Sequence, residues 1–206
     1  MTIFGYGVRM DKASEGGRRE RKKAATRQAI GGAALELFLE RGYDQVSIKE
    51  IADAADVATT TLFKHFPCKE ALVFDEDHNR EARLVAAVRD RPAGQGIVEA
   101  LHEHVLESWL PIAADPRHAE FARLLDSTQA LRDYAERMWT RHTAALSAAI
   151  ADDIGVDHDN ITCRALARFI LEIPTLTRGQ DDPRAAVEEM FHILTRGWQP
   201  PGADDQ

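Results

Sequence analysis

The chain has 206 residues, 44% of them hydrophobic and 29% charged, with a formal net charge of −8. That length accommodates one or two domains, and with no run of about 18 apolar residues no membrane span is expected. The opening MTIFGYGVRMD has no apolar segment with a cleavage site, and Cys68 and Cys163 have neither metal-site nor disulfide-framework spacing, so a cytoplasmic protein is expected.

The charge is unevenly spread. Residues 1–70 carry 12 Lys/Arg and 10 Asp/Glu, a net of +2, whereas residues 71–206 carry 14 against 24, a net of −10. A basic head on an acidic body is a pattern expected of a DNA binder with a separate second domain.

Residues 1–20 hold four of the 13 glycines and no clear periodicity. They read as a flexible basic arm whose Arg18, Arg19, Arg21, Lys22 and Lys23 would reach DNA phosphates or a minor groove. The first helix is predicted from Lys22 to Arg41, with Ile30, Ala33, Ala34, Leu37 and Phe38 at helical spacing and Gly42 just past its end. Gly31-Gly32 weaken it by about 1–2 kcal/mol; a closely approaching helix would account for them.

Residues 47–72, SIKEIADAADVATTTLFKHFPCKEAL, organise the head. Ser47 with Glu50 three positions on is a capping-box pattern. Ile48, Ile51, Ala52 and Ala55 give the following short helix its apolar face, Asp56-Val57 make a turn, and a second short helix begins at Thr59-Thr60-Thr61, with Val57, Leu62, Phe63 and Phe66 as its expected apolar face. Pro67 keeps it from running on. Helices of about two turns do not stand alone; they must pack on the longer first helix, which gives a helix-turn-helix. A fourth helix is expected from Cys68-Lys69-Glu70 to about Arg89, with the Lys69 cation in its first turn.

Arg91–Gly96 is a breaker cluster. Beyond it, helices are predicted at about 97–109, 117–125, 129–152, 160–178 and 183–197, with Pro111 and Asp115-Pro116 interrupting and Pro174 kinking. Asp182-Pro183 is a good start signal. No segment alternates well enough to demand a strand. The fold class is therefore all-α: an N-terminal three-helix helix-turn-helix head and a larger helical body, about nine helices in all. The expected division is 1–20 arm, 21–68 DNA-binding domain, 69–198 ligand-binding and dimerisation domain and 199–206 flexible tail. The broad apolar coverage of the last two helices fits a four-helix interface in a homodimer.

The stretch LELFLERGYDQVSIKEIADAADVATTTLFKHFPCKEAL, Leu35 to Leu72, resembles the DNA-binding domain of TetR-family transcriptional regulators. It keeps the ordered pattern of helix, Gly42-Tyr43, hydroxyl cap, Ile51-Ala52, turn, Thr61-Leu62-Phe63, Phe66-Pro67 and Lys69-Glu70. The resemblance implies that Ser47 caps the second helix and approaches a phosphate. It implies that Thr59, Thr60 and Thr61 open the recognition helix in the major groove, that Lys64 reaches a base or phosphate, and that His65 and Lys69 meet phosphates. Several positions depart from the family pattern. The turn carries Asp56 where glycine is common, and aspartate tolerates the left-handed backbone. Ala58 replaces the usual serine cap, so that Thr59 would cap in its place. Phe63 stands where tyrosine is usual and lacks the hydroxyl.

The later segments MWTRHTAALSAAIADDIG, ALARFILEI and DPRAAVEEMFHILTRGW resemble an actinobacterial-type TetR regulatory domain, in which some relatives respond to acyl-CoA. This implies a repressor that binds a palindromic double-stranded operator as a homodimer and is released by a small apolar or amphipathic effector, acyl-CoA being one candidate. Trp109, Phe121, Leu125, Tyr134, Met138, Trp139, His142 and Phe169, which mix large apolar surface with polar handles, are the candidate ligand residues. His102 and His104, two apart on a helix, face different ways and are not expected to share an ion with His142; no metal or cofactor is expected. Control by a protein partner without a small molecule is the alternative. A helical enzyme is more remote, since no phosphate-binding glycine loop, HExxH, CxxC or nucleophile elbow is present.

Overall fold

The computed structural model describes residues 12–74 and 77–197, with side chains described from Gly17 and, after the break, from Asn79. The described residues form nine α-helices and no strand, divided into two compact units at residues 1–75 and 76–206. Residues 1–11 of the expected arm and the expected tail at 199–206 lie outside the described residues.

In the first unit, α1 (Lys12–Arg41) is followed by a 3₁₀ turn (Tyr43–Gln45), α2 (Ile48–Ala54), α3 (Thr59–His65) and a second 3₁₀ turn (Glu70–Leu72). Helix α1 starts ten residues before the predicted Lys22, so the described part of the basic arm is helical. Its Arg, Lys, Glu and Ala are good helix formers, and the Arg21 Nε donates back to the Gly17 carbonyl at 3.0 Å. Ile30, Ala34 and Phe38, four apart, are wholly buried and form the spine on which α2 and α3 pack through Ile51, Ala52 and Leu62. Gly42 closes α1 with φ 85°. A Cβ at Gly32 would meet nothing within 4 Å, so close approach does not explain that glycine.

The expected fourth helix does not begin at Cys68–Glu70. Ala71, Leu72 and Val73 are all buried, and three successive inward side chains suit a tight 3₁₀ turn better than one face of an α-helix. Helix α4 proper is Asp77–Arg89. The expected boundary after residue 68 accordingly moves to residue 75, because these buried residues belong to the first unit.

The second unit continues with α5 (Ile97–Ala113), α6 (His118–Ser127), α7 (Gln129–Ile154), α8 (Ile161–Leu176) and α9 (Pro183–Arg196). Helix α5 continues through Pro111, which sits exposed one turn from its end, and α8 continues through Pro174. The Asp182-Pro183 start signal holds, with Asp182 Oδ1 accepting from Ala185 N at 3.0 Å, and α8 has a cap not singled out in the sequence, Asn160 Oδ1 accepting from the Thr162 and Cys163 amides. Leu84, Val88, Leu101, Leu146, Ile150, Ile170, Ile173 and Phe191 join α4, α5, α7, α8 and α9 in one core. Arg91 fastens the loop after α4 to the end of α7 by two 2.7 Å bonds to the Asp153 carboxylate, which it holds below the usual carboxylate range. Among the described residues, no helix is long and apolar enough to cross a membrane.

Candidate nucleic-acid interface

Helix α2 is set by its cap. The Ser47 amide donates to Glu50 Oε2 at 2.8 Å, and the Glu50 amide donates to Ser47 Oγ at 3.2 Å. The Ser47 hydroxyl also donates to Glu50 Oε2 at 2.7 Å, while Arg41 holds Oε1 at 3.0 Å. The bonds from Ser47, and then the Arg41 charge, keep the Glu50 carboxyl below its ordinary range. A hydroxyl has one proton; that of Ser47 is given to Glu50, so it faces a phosphate only by exchanging that partner.

The turn into α3 places Asp56 at φ 52°, in the left-handed region, and the Val57 amide closes back on the Ala52 carbonyl at 2.9 Å. A β-branched side chain is poorly suited to that backbone. Asp56→Val is expected to lower stability by about 1–2 kcal/mol, read from urea unfolding; an unchanged midpoint would mean that the turn relaxes freely.

Ala58 is the N-cap of α3 and makes no side-chain bond there; its carbonyl accepts from the Thr61 and Leu62 amides at 2.8 and 3.1 Å. Thr59 is therefore the first helical residue, and the expectation that it caps is corrected. Leu62 and Phe66 are fully buried and fix the phase of the helix. Thr59, Thr60, Phe63 and Lys64 face outward, whereas Thr61 and His65 are half-buried on the flanks. Thus Thr59, Thr60 and Lys64 share one exposed surface.

Arg27 was not singled out in the sequence, yet it holds the far end of α3. One guanidinium nitrogen donates to the His65 carbonyl, and the group lies 4.3 Å from the centre of the Phe66 ring. The signal was legible: Arg27 shares the buried stripe of Ile30 and Ala34, at i, i+3 and i+7, where a charge asks for a partner.

Lys69 is half-buried and turned inward. Its ammonium donates to the Tyr43 carbonyl at 2.6 Å and lies 4.1 Å from the Tyr43 ring centre and 5.5 Å from that of Phe38. Burial pulls its pKa below the usual lysine value, against the pull of Asp44, Glu70 and Glu50. Burial likewise pushes the Tyr43 phenol up. Arg18, Arg19, Arg21, Lys22 and Lys23 are exposed along α1.

In the second unit the candidate ligand residues are dispersed. Trp109 is buried, donates its Nε1–H to Thr177 Oγ1 at 2.9 Å and meets His118 edge-on. Met138 and His142 are buried; His142 lies near the Glu81 carboxylate and edge-on to Trp139. Phe121, Leu125, Tyr134, Trp139 and Phe169 are half-buried, Phe169 against the core. Two open grooves are described in this unit. One, of about 500 Å³, runs between α7 and α8 past Thr140, Ala144, Ser147, His158, Arg164 and Arg168. The other, of about 310 Å³, lies between α5 and α9 beside His102, Glu188 and His192. None of the eight predicted residues lines either groove.

A short α2–turn–α3 unit backed by a long helix, followed along the chain by a longer all-helical unit, defines a helix-turn-helix regulator. Residues 30–75 match the model of the bacterial regulatory proteins, tetR family. The chain is 31% identical over 151 residues to the HTH-type transcriptional regulator TcmR of Streptomyces glaucescens, covering 70% of this chain and 67% of TcmR. It is 28% identical over 131 residues to the HTH-type transcriptional repressor Rv1474c of Mycobacterium tuberculosis, covering 63% and 64%. The fold is shared with the solved SmeT–triclosan complex, at a TM-score of 0.55 and 16% identity over 86% of this chain and 96% of that one. The chain belongs to the TetR family of transcriptional regulators.

Proposed function

We propose that the protein is a repressor that binds a palindromic operator as a homodimer and is released by a small apolar or amphipathic effector. The observation that carries this is the exposed face of α3, with Thr59, Thr60 and Lys64 held outward by the buried Leu62 and Phe66. Hydroxyls and an ammonium there serve base edges and phosphates, and the basic residues along α1 add phosphate contacts. His65 flanks that face, and Ser47, exposed at the start of α2, would add a phosphate contact. Lys69 has two donors beyond the one given to Tyr43, which it would offer to a backbone phosphate. Pairing of two copies is supported by α8, which leaves Ile161 and Leu176 more than half exposed.

The SmeT–triclosan complex supports a small molecule as effector, and acyl-CoA remains one candidate class. Both grooves have volumes in the range of ligand sites. An effector acts only by binding the two states of the dimer unequally. A second reading, control by a protein partner without a small molecule, is favoured by the packing of Trp109, Met138 and His142 into buried positions.

Selection of bound sequences from a random duplex pool tests the main reading. A two-fold symmetric site is expected, with sedimentation near twice the 22.9 kDa chain mass. Lys64→Ala or Lys69→Ala should lower the salt slope by about 1, whereas Thr60→Ala should change the preferred bases. Absence of any sequence preference would refute DNA regulation, and a monomer would refute the symmetric operator. A compound screen for release from the selected site then separates effector control from partner control.

Arg27→Ala is expected to weaken operator binding about tenfold through misplacement of α3, which corresponds to the loss of one charge-assisted bond. Arg27→Lys should recover little, since lysine cannot stack and donate in the same plane. Equal affinity of the alanine variant and the parent would remove Arg27 from the positioning role.

A further inference from the structure

Phe63 is the one large apolar side chain exposed among the described residues of the first unit, at 52% relative exposure. It sits on α3, whose phase is set by the buried Leu62. At about 100° per residue, Phe63 falls between Thr59 and Thr60 around the helix axis, with Lys64 beyond Thr60. The ring therefore lies on the exposed face between two hydroxyls, on the side nearer the buried Phe66. Among the described residues of the first unit, about half of its surface is left uncovered.

A phenyl ring neither donates nor accepts a conventional hydrogen bond. It gains only by covering apolar surface. In the major groove the base edges offer donors, acceptors and a single apolar group, the C5-methyl of thymine. We infer that Phe63 is a specificity-determining residue that packs on a thymine C5-methyl in each operator half-site. This rests on the DNA-binding reading above and deepens it. Cytosine lacks the methyl group, and a purine offers only ring nitrogens and exocyclic polar groups in that place, so the ring enforces thymine without any hydrogen bond. The hydroxyls of Thr59 and Thr60 and the Lys64 ammonium then read or anchor the neighbouring positions. The ring is exposed in the free protein and loses water-facing area only on the correct sequence.

The test exchanges thymine for uracil, one position at a time, in the duplex obtained by selection. Uracil removes the methyl and keeps every hydrogen-bonding group. With the unaltered protein, binding should fall about fourfold per half-site at one thymine position, the effect of burying one methyl. Phe63→Ala should bind the thymine and uracil duplexes equally, and Phe63→Leu should retain part of the difference. Because the side chain is exposed, both variants should keep the parent's thermal midpoint, which is measured alongside. A uracil penalty that persists in Phe63→Ala, or no uracil penalty at any position, would overturn the inference while leaving sequence-specific binding intact. Failure of the unaltered protein to select any sequence would overturn the DNA-binding reading and this inference with it.

Discussion

A Phe66→Ala variant is expected to lose operator binding while its second unit stays folded. Phe66 is fully buried, follows α3 directly and carries the Arg27 guanidinium over its ring. Truncating a buried phenylalanine costs about 3–5 kcal/mol, against about 5–15 kcal/mol for a whole domain. The first unit is short and stands at the lower end of that range. The measurement is convenient, because Trp109, Trp139 and Trp198 all lie beyond residue 75. Tryptophan emission should be unchanged, far-ultraviolet dichroism should lose part of its helical signal, and selected duplexes should no longer be retained. Full operator affinity at 37 °C would show that the head tolerates the cavity, and a shifted tryptophan emission would show that the damage is not confined to it.

Leu146→Ala should give the converse result. Leu146 is fully buried on α7, in the core that also holds Leu101, Ile150 and Ile170. The loss of about 3–5 kcal/mol corresponds to a fall of roughly 1–3 M in the urea midpoint for a unit of this size. Tryptophan emission should report it directly. Selected DNA should still be bound below the new midpoint, with weaker binding where the second unit is needed for pairing. A midpoint within experimental error of the parent would mean that the site collapses around the smaller side chain.

The sequence made the local signals of this fold legible and the tertiary ones less so. Ser47 with Glu50, Asp182-Pro183 and Gly42 each mark an element end by chemistry that acts within a few residues, and each stands where expected. Asp56 was read as able to take a left-handed turn, and it does. The start of α1 was missed because the glycines and the lack of apolar periodicity in residues 1–20 read as a flexible arm, whereas a run of helix-forming charged residues carries the helix through. Pro111 was read as a stop, but one lost backbone donor near an exposed helix end does not outweigh the packing of Trp109 beneath it. Lys69 shows the limit most clearly. Its partners, the Tyr43 carbonyl and two rings, lie 26 and more residues away in sequence, and no spacing rule links them. The exposed face of α3 was legible only in part: Leu62 and Phe66 are buried as expected, but Phe63, expected on the same apolar face, is 52% exposed, because it lies toward the flank of so short a helix. The ligand residues were not legible, since large apolar side chains at helical spacing look the same whether they line a cavity or fill a core.

The second 3₁₀ turn bears on how such regulators are recombined. A chimera that joins this head to a foreign sensor body is naturally cut just after Phe66-Pro67, where the recognition helix ends. That cut would discard Ala71, Leu72 and Val73, whose buried side chains complete the head's own interior. The graft would carry an open seam along α1 and would be prone to aggregate for reasons unrelated to its new partner. Placing the junction after residue 75 transfers the head with its floor attached.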